Sequence, residues 1–364
     1  MKTYKNLWHE LCSYENLLLA FQKARKGKTQ KPYVKEFEKN LKQNLLQLQA
    51  ELLLQVYRPK PLETFIIHDP KTRKISKSAF RDRVVHHAIC NILEPIYENI
   101  FIYDSYANRK GKGTVKALER FNTFKRKVSK NNILECFVLK ADIKQYFETV
   151  DQEILINILK QKIKDEKVLS IIKIIIGNYQ GKQKGKGMPL GNLTSQFFAN
   201  VYLHELDIFV KHNLKEEYYI RYVDDFIILD KDKKRLEQVK ITLNQFLEEN
   251  LKITLHKGKS KIISLEEGVS FLGFRIFYYH RILKKVNIRK IDRRILEQKQ
   301  AYEKGKITFD DIYNSLEGTF AHISNANTIR WRLKKAKSLE EFYPQEVSSK
   351  EVNRLLKYTN FNKL

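Results

Sequence analysis

Apolar residues recur along this chain in two different periods. Val34, Phe37, Leu41, Leu45, Leu48, Leu52 and Val56 fall at steps of three and four, the single stripe of one amphipathic helix. Tyr57-Arg58-Pro59-Lys60-Pro61 ends it, because proline offers no N–H and restricts the residue before it. Residues 62–82 alternate more weakly. Thr64 to His68 and Arg73 to Ser76 read as a hairpin about Asp69-Pro70-Lys71-Thr72. An apolar helix follows through Val84, Ala88, Ile92 and Ile96. It carries His86 and His87, which have no paired ligands near them in sequence and are expected as core or surface histidines.

From residue 137 the pattern shortens. Phe137-Val138-Leu139-Lys140-Ala141-Asp142-Ile143 is a buried strand closing on a carboxylate, a costly place for a charge with no task. Tyr146 and Phe147 follow, and Thr149 or Asp151 caps a helix carrying Ile154, Leu155, Ile158 and Leu159. The basic loop Gly181 to Gly187 leads into Met188-Pro189-Leu190-Gly191-Asn192-Leu193-Thr194-Ser195-Gln196 and a helix through Phe197, Phe198, Val201, Leu203 and Leu206. Two β-branched or aromatic runs, Tyr218 to Arg221 and Phe226 to Leu229, bracket Tyr222-Val223-Asp224-Asp225 as a hairpin. A helix with Leu236, Val239, Leu243, Phe246 and Leu247 precedes a strand about Ile253 to Leu255. Strand, helices, strand, turn, strand, helix, strand is the split βαβ, ferredoxin-like order. It makes the first strand and the hairpin neighbours in one antiparallel sheet, so Asp142 faces Asp224 and Asp225. Adjacent carboxylates repel unless a cation sits between them, so this point is expected to hold divalent metal.

Composition narrows the partner. The chain has 364 residues, room for two or three domains, and 42% apolar residues exclude a disordered chain. Its 69 Lys and Arg against 42 Asp and Glu leave a formal charge of +27, which predicts a polyanionic partner, most simply nucleic acid. The longest apolar runs, such as Leu17 to Phe21, are too short to span a bilayer, and no membrane partner is expected. The N-terminus lacks a signal-peptide core, and the scattered Cys12, Cys90 and Cys136 suit neither zinc nor a disulfide framework, so a reducing cytoplasm is expected. Lys23 to Lys31 and the glycine-rich Ser105 to Gly113 are basic loops, solvated or apposed to phosphate. Residues 285–345 read as basic helices, such as Arg289 to Gln300 and Ile329 to Lys337, and Tyr343-Pro344 marks a break before a short polar tail.

Taken in order, these segments resemble the motifs of reverse transcriptases along nearly the whole chain. The strand ending in Asp142 resembles polymerase motif A, Gly187 through Gln196 motif B, and Tyr222-Val223-Asp224-Asp225 motif C. Leu255 to Lys261 resembles motif D, and Val269-Ser270-Phe271-Leu272-Gly273-Phe274 resembles the primer-grip motif E. Arg81-Asp82-Arg83-Val84-Val85, with Ile92-Leu93-Glu94-Pro95, resembles the fingers of the bacterial lineage that includes group II intron enzymes. The resemblance implies an α+β right-hand polymerase with fingers, a ferredoxin-like palm and a short helical thumb. Its expected divisions are an N-terminal helical extension at 1–60, fingers at 61–135, palm at 136–280 with a fingers-like insertion around 165–192, thumb at 281–345 and a C-terminal tail at 346–364.

The resemblance also assigns roles. Two Mg²⁺ ions, with Mn²⁺ as a substitute, would be held by Asp142 and Asp224, with Asp225 in support and the Ile143 carbonyl as an extra ligand. Lys71, Arg73 and Arg81 would bind the triphosphate of the incoming dNTP, together with Leu190, Gly191 and Gln196 about the nascent base pair. Phe147, five positions after Asp142, would be the steric gate against a ribose 2′-hydroxyl. Lys259, with Lys257 and Lys261 as rivals, would supply a proton to pyrophosphate. Tyr222, Phe271, Leu272 and Gly273 would contact primer and template, and the basic thumb would grip the RNA/DNA duplex through its backbone.

One departure narrows the lineage. Most relatives in this group have Gln-Gly in motif B and end it Ser-Pro; here Leu190-Gly191 and Ser195-Gln196 stand in those places. That pattern resembles the enzymes of diversity-generating retroelements, which copy a template RNA and misincorporate opposite adenine. A glutamine beside the nascent pair reports its geometry by hydrogen bonding, and an aliphatic side chain does not. The resemblance implies a bacterial or phage-encoded cytoplasmic enzyme and an oligomeric accessory variability protein as partner. No RNase H, integrase, protease or HNH segment is legible, so partners are expected for those steps. The alternatives are an antiviral-defence reverse transcriptase and, more remotely, a catalytically dead RNA-binding palm.

Overall fold

The computed structural model describes residues 2–68, 72–343 and 346–357. The chain divides into two compact units. The first comprises Met1–Arg120, Leu139–Ile228 and Lys233–Lys261; the second comprises Phe121–Val138, Leu229–Asp232 and Ile262–Leu364.

The first unit opens with helices α1 (Trp8–Cys12), α2 (Tyr14–Arg25), α3 (Pro32–Lys39) and α4 (Leu41–Leu53). The stripe from Val34 to Val56 is therefore two helices, not the one its spacing predicts. The chain breaks at Asn40, with φ −121° and ψ 42°. The break lets Phe37 stack on Phe21 at 5.8 Å and meet Phe80 edge-on at 5.4 Å, while Leu45, Leu48 and Leu52 stay buried. Asn44 Nδ2 donates to the Phe37 carbonyl at 2.8 Å, satisfying a group the break leaves without a helical partner. Val56, the last member of the stripe, is exposed.

Strands β1 (Glu63–Ile67) and β2 (Arg73–Lys77) pair antiparallel as expected, from Glu63 opposite Lys77 to Ile67 opposite Arg73. Helix α5 (Phe80–Glu98) buries Val84, Ala88, Ile92 and Ile96. His86 lies in that core, where burial lowers its pKa to about 3, and burial lowers His87 to about 4, so both are neutral side chains. Helix α6 spans Thr114–Val128.

A four-stranded sheet carries the palm pattern. Its strands are β3 (Phe137–Asp142), β4 (Tyr219–Tyr222), β5 (Asp225–Asp230) and β6 (Lys261–Ser264), in the order β4-β5-β3-β6. That is the split βαβ arrangement, with the hairpin beside the first strand. Helices α7 (Tyr146–Thr149), α8 (Gln152–Lys162), α9 (Glu166–Gly177) and α10 (Leu193–Ile208), then a π-helical turn at Phe209–Asn213, fill the connection from β3 to β4. Asp151, not Thr149, caps α8, accepting from the N–H groups of Glu153 and Ile154. Helix α11 (Lys233–Leu251) follows the hairpin. The fourth strand is β6, whereas the sequence pattern places it at Ile253 to Leu255. There the chain makes only an isolated bridge, Leu255 to Ile143, and the Leu255 N–H turns to Asn244 Oδ1 at 3.0 Å.

The second unit holds the antiparallel strands β7 (Val269–Phe271), β8 (Phe274–Ile276) and β9 (Arg281–Leu283). Helices α12 (Lys285–Glu303), α13 (Phe309–Ile323), α14 (Ile329–Phe342) and α15 (Ser349–Lys357) follow. A capping box between Thr308 and Asp311 starts α13. The segment expected as a polar tail instead contributes α15, whose Val352 and Leu355 join Phe309, Ile312, Leu316 and Leu339 in one core. Glu351 and Arg354 take the polar face of that helix, which is why its composition reads as tail. Among the described residues no helix is long and apolar enough to cross a membrane. Replacing Leu355 by Ala should destabilise the protein by about 2–4 kcal/mol in chemical denaturation, the cost of a buried leucine. A change below about 0.5 kcal/mol, as at a solvated position, would contradict this packing.

Candidate active site

The register of the hairpin sets the geometry. Tyr222 pairs with Asp225, so the loop between β4 and β5 is only Val223-Asp224, and Asp225 is the first residue of β5. The Ile143 N–H donates to the Asp224 carbonyl at 3.2 Å, which fastens the turn to the end of β3, where Asp142 stands. The Asp142 carbonyl in turn accepts from the His256 N–H at 2.7 Å. Val223 has φ +55°. A β-branched residue in the left-handed region carries strain on the order of 1–3 kcal/mol and persists only where its surroundings enforce it.

Two lysines offset the carboxylates. Residues two apart on a strand share a face, so Lys140 lies with Asp142. Its Nζ is 3.5 Å from Asp225 Oδ2, and Lys259 Nζ donates to Asp142 Oδ1 at 2.8 Å. Burial pushes the Asp224 carboxyl above its ordinary range, the charge of Asp142 adds to this, and Lys259 and Arg73 oppose it. Burial pushes Asp225 up to about 6, against the attraction of Lys140 and with the repulsion of Asp142 and Asp224. Asp225 Oδ1 is buried with no hydrogen-bond partner. These carboxylates are thus short of positive charge at one point. Among the described residues no three His, Cys, Asp or Glu side chains form a cage for a cation on their own. A few carboxylates completed by substrate phosphates and water is the donor set that Mg²⁺ favours, and the residues present fit it.

The other expected residues divide into those the fold brings here and those it does not. Lys259 reaches Asp142, while Lys257 and Lys261 are exposed without such a contact. Arg73 is exposed at the start of β2, and its charge reaches Asp224. Lys71 lies outside the described residues. Arg81 is already engaged: its guanidinium pairs with Glu51 and lies 5.5 Å over the Tyr57 ring. Phe147, half-buried on α7, packs edge-on against Tyr146 at 5.4 Å. The Met188 N–H donates to the Phe147 carbonyl at 2.7 Å, binding the motif B loop to that helix. The Leu190 carbonyl accepts from Ser76 of β2 at 2.9 Å. Gly191, at φ +121°, lies so close to β2 that a Cβ there would come within 2.8 Å of Ile75 Cγ2. Gln196 is half-buried in the first turns of α10.

Tyr222 is half-buried, and its hydroxyl accepts from Thr114 Oγ1 at 3.3 Å. Phe271, expected at the primer, has its ring fully buried against Phe121 at 6.0 Å, at the end of β7 where it supports the β7–β8 turn. Leu272 and Gly273, at φ +46° and +91°, form that turn.

Sequence reasoning passed over the residues beneath the turn. Arg221, counted at the edge of an apolar run, is fully buried and forms a paired-oxygen contact with the equally buried Asp207. Tyr219 and Asn200 complete the cluster. The available signal was a cation inside a strand with no solvent face, which requires a buried anion elsewhere in the chain.

Asp225 also has a stability consequence. Its folded-state pKa lies above the ordinary carboxylate value, so the folded protein holds the proton more tightly than the unfolded chain. The group therefore lowers stability as pH rises from about 4 through about 6. Metal-free Asp225→Asn protein should melt about 2–4 °C above wild type at pH 7, with the gap closing below pH 4. A lower melting temperature at pH 7 would contradict the desolvation argument.

Residues 66–276 match the family described as reverse transcriptase (RNA-dependent DNA polymerase). Protein YkfC of Escherichia coli is 25% identical over 285 residues, 65% of this chain and 71% of that protein. The group II intron-encoded protein LtrA of Lactococcus lactis is 28% identical over 290 residues, 60% of this chain and 47% of that protein, so the match spans about half of its length. The fold matches telomerase from Candida albicans with a TM-score of 0.54 and 12% identity, over 87% of this chain and 64% of that one. The right-hand polymerase fold is therefore shared. With residues 66–276, more than half of the chain, matched by that family, the chain belongs to the reverse transcriptase family, the RNA-dependent DNA polymerases, with relatives among the group II intron enzymes.

Proposed function

We propose that this reverse transcriptase makes error-prone, adenine-mutagenised cDNA from the template RNA of a diversity-generating retroelement. The observation that carries this reading is Leu190-Gly191 in place of the Gln-Gly of most relatives, on a loop docked onto β2. The hydrogen bond from Ser76 to the Leu190 carbonyl fixes the backbone at that point. Leu190 then offers a base pair apolar contact and no polar group, so a mispair costs little more than a match.

The roles at the reacting centre follow from the contacts. Asp142 and Asp224 hold two Mg²⁺ ions, with Asp225 and the Ile143 carbonyl in support. Such ions, when bound, activate the primer 3′-hydroxyl and offset charge on the phosphates. Lys259, already at Asp142, carries a proton on Nζ toward the pyrophosphate oxygen. Arg73, and Lys71 beside it in sequence, bind the β- and γ-phosphates. Arg81 stays with Glu51 in the free enzyme and joins them only if that pair opens. Phe147 closes the space beside the sugar and selects deoxynucleotides. Tyr222 and the Leu272-Gly273 turn meet the primer, and the basic α12 and α14 grip the duplex backbone.

In this reading residues 61–135 are fingers, 136–280 palm and 281–345 thumb, with α15 extending the thumb core. An oligomeric, basic accessory protein and the template RNA are its partners, in the cytoplasm of a bacterium or phage host.

Two measurements test it. Asp224→Ala should reduce Mg²⁺-dependent extension of a DNA primer on RNA by about a thousandfold or more; equal residual rates in both proteins would favour a dead RNA-binding palm. Leu190→Gln should lower misincorporation opposite template adenine at least about fivefold in sequenced cDNA, with errors at other bases little changed. Wild-type errors spread evenly over the four bases would instead favour an antiviral-defence enzyme.

A further inference from the structure

Beneath the hairpin that carries Asp224 lies a buried polar cluster of Arg221, Asp207, Asn200 and Tyr219. Arg221 and Asp207 are both fully buried. The guanidinium donates from Nε to Asp207 Oδ1 at 2.7 Å and from Nη2 to Asp207 Oδ2 at 2.6 Å. Its third nitrogen, Nη1, donates to Asn200 Oδ1 at 3.0 Å and to the Val223 carbonyl at 3.3 Å. The Tyr219 hydroxyl donates to Asp207 Oδ1 at 2.8 Å, and Asn200 Nδ2 donates to the Ala107 carbonyl at 2.8 Å. The backbone of Arg221 is tied as well. Its N–H donates to the Asp104 carbonyl, and its carbonyl accepts from the Tyr106 N–H.

Val223 is the residue whose φ of +55° is unfavourable for a β-branched side chain. Something must hold it there, and the turn is pinned at two carbonyls. One is Val223, bound by Arg221, and the other is Asp224, bound by the Ile143 N–H. A relaxed φ at Val223 would swing the next residue, and the next residue is Asp224.

We infer that Arg221, held by Asp207 and Asn200, is a positioning residue that clamps Val223 in its left-handed conformation and so aims the Asp224 carboxylate at the reaction centre. The same cluster ties that turn to the Asp104–Ala107 segment, which leads into the basic, glycine-rich loop. A buried ion pair is a weak source of stability, because the loss of hydration nearly cancels its attraction. Its use here is directional. Lysine would keep the charge but, with a single nitrogen, would not hold Asp207, Asn200 and the Val223 carbonyl together.

The inference rests on the polymerase reading, so wild-type primer extension on RNA is the first measurement. An inactive wild type would remove that reading and this inference with it. With an active wild type, full-length Arg221→Lys is compared for kcat, KM for dNTP and the Mg²⁺ concentration at half-maximal rate. The expected result is kcat lower by about a hundredfold, KM within about twofold, and a raised Mg²⁺ requirement. Adding Val223→Gly should return about tenfold in kcat, because glycine holds a positive φ without a clamp. Asn200→Ala, which leaves the ion pair in place, serves where Arg221→Lys does not fold. It should lower kcat about tenfold with the same rise in Mg²⁺ requirement and the same rescue. Activity lost only in proportion to unfolded protein, with an unchanged Mg²⁺ requirement and no rescue by Val223→Gly, would overturn the proposal.

Discussion

Like charges held together in a partly dry place are the constraint on which this molecule turns. Asp142, Asp224 and Asp225 converge at the ends of adjacent strands, and Lys140 and Lys259 pair with two of them while the charge of Arg73 reaches Asp224. Neither lysine is equivalent to a doubly charged ion, and burial still pushes the protons of Asp224 and Asp225 upward. The free protein therefore carries an electrostatic deficit that a cation and a nucleotide together would relieve. The sheet order, the two-residue turn and the buried cluster below it all oppose the spreading that would relieve it otherwise. Stability is given up locally, and the arrangement survives because the two strands that carry the carboxylates are the central pair of the four-stranded sheet.

Much of this was legible in the sequence because it depends on short periods and end-of-strand charges. A carboxylate closing the apolar run to Asp142, and two more between the halves of a hairpin, leave few topologies that bury the apolar residues and still assemble the charges. The same logic failed at Arg221. A strand of four residues, Tyr219 to Tyr222, has too short a pattern to show whether its charge faces solvent, and its partner Asp207 belongs to a helix. The fourth strand was misplaced for a related reason. Ile253 to Leu255 has strand composition, but Leu255 gives its N–H to a side chain on α11. The break at Asn40 was hidden because two helices that abut with little change of phase continue one stripe. Helix α15 was hidden because half of a nine-residue amphipathic helix is too few apolar residues to stand out from polar surroundings.

Phe271 and Arg81 show how motif position and physical role separate. Phe271 occupies the place where the resemblance puts a nucleic-acid contact, yet its ring supports the turn from inside. Arg81 occupies a place associated with phosphate, yet it is bound to a glutamate of α4. In both cases a motif marks a position worth keeping, and only the burial and the partners say what that position does.

The contact between Leu190 and Ser76 has a wider consequence. Motif B and the hairpin bearing Arg73 share a hydrogen bond, and Gly191 leaves no gap against Ile75. In the proposed reading, where Leu190 meets the base pair and Arg73 the phosphates, the two tasks would fall to one continuous surface. Selectivity at the base pair would then depend on this contact as well as on the Leu190 side chain. Substitutions at Ile75 or Ser76 would then act on the backbone of Leu190 and Gly191 without altering either of those residues.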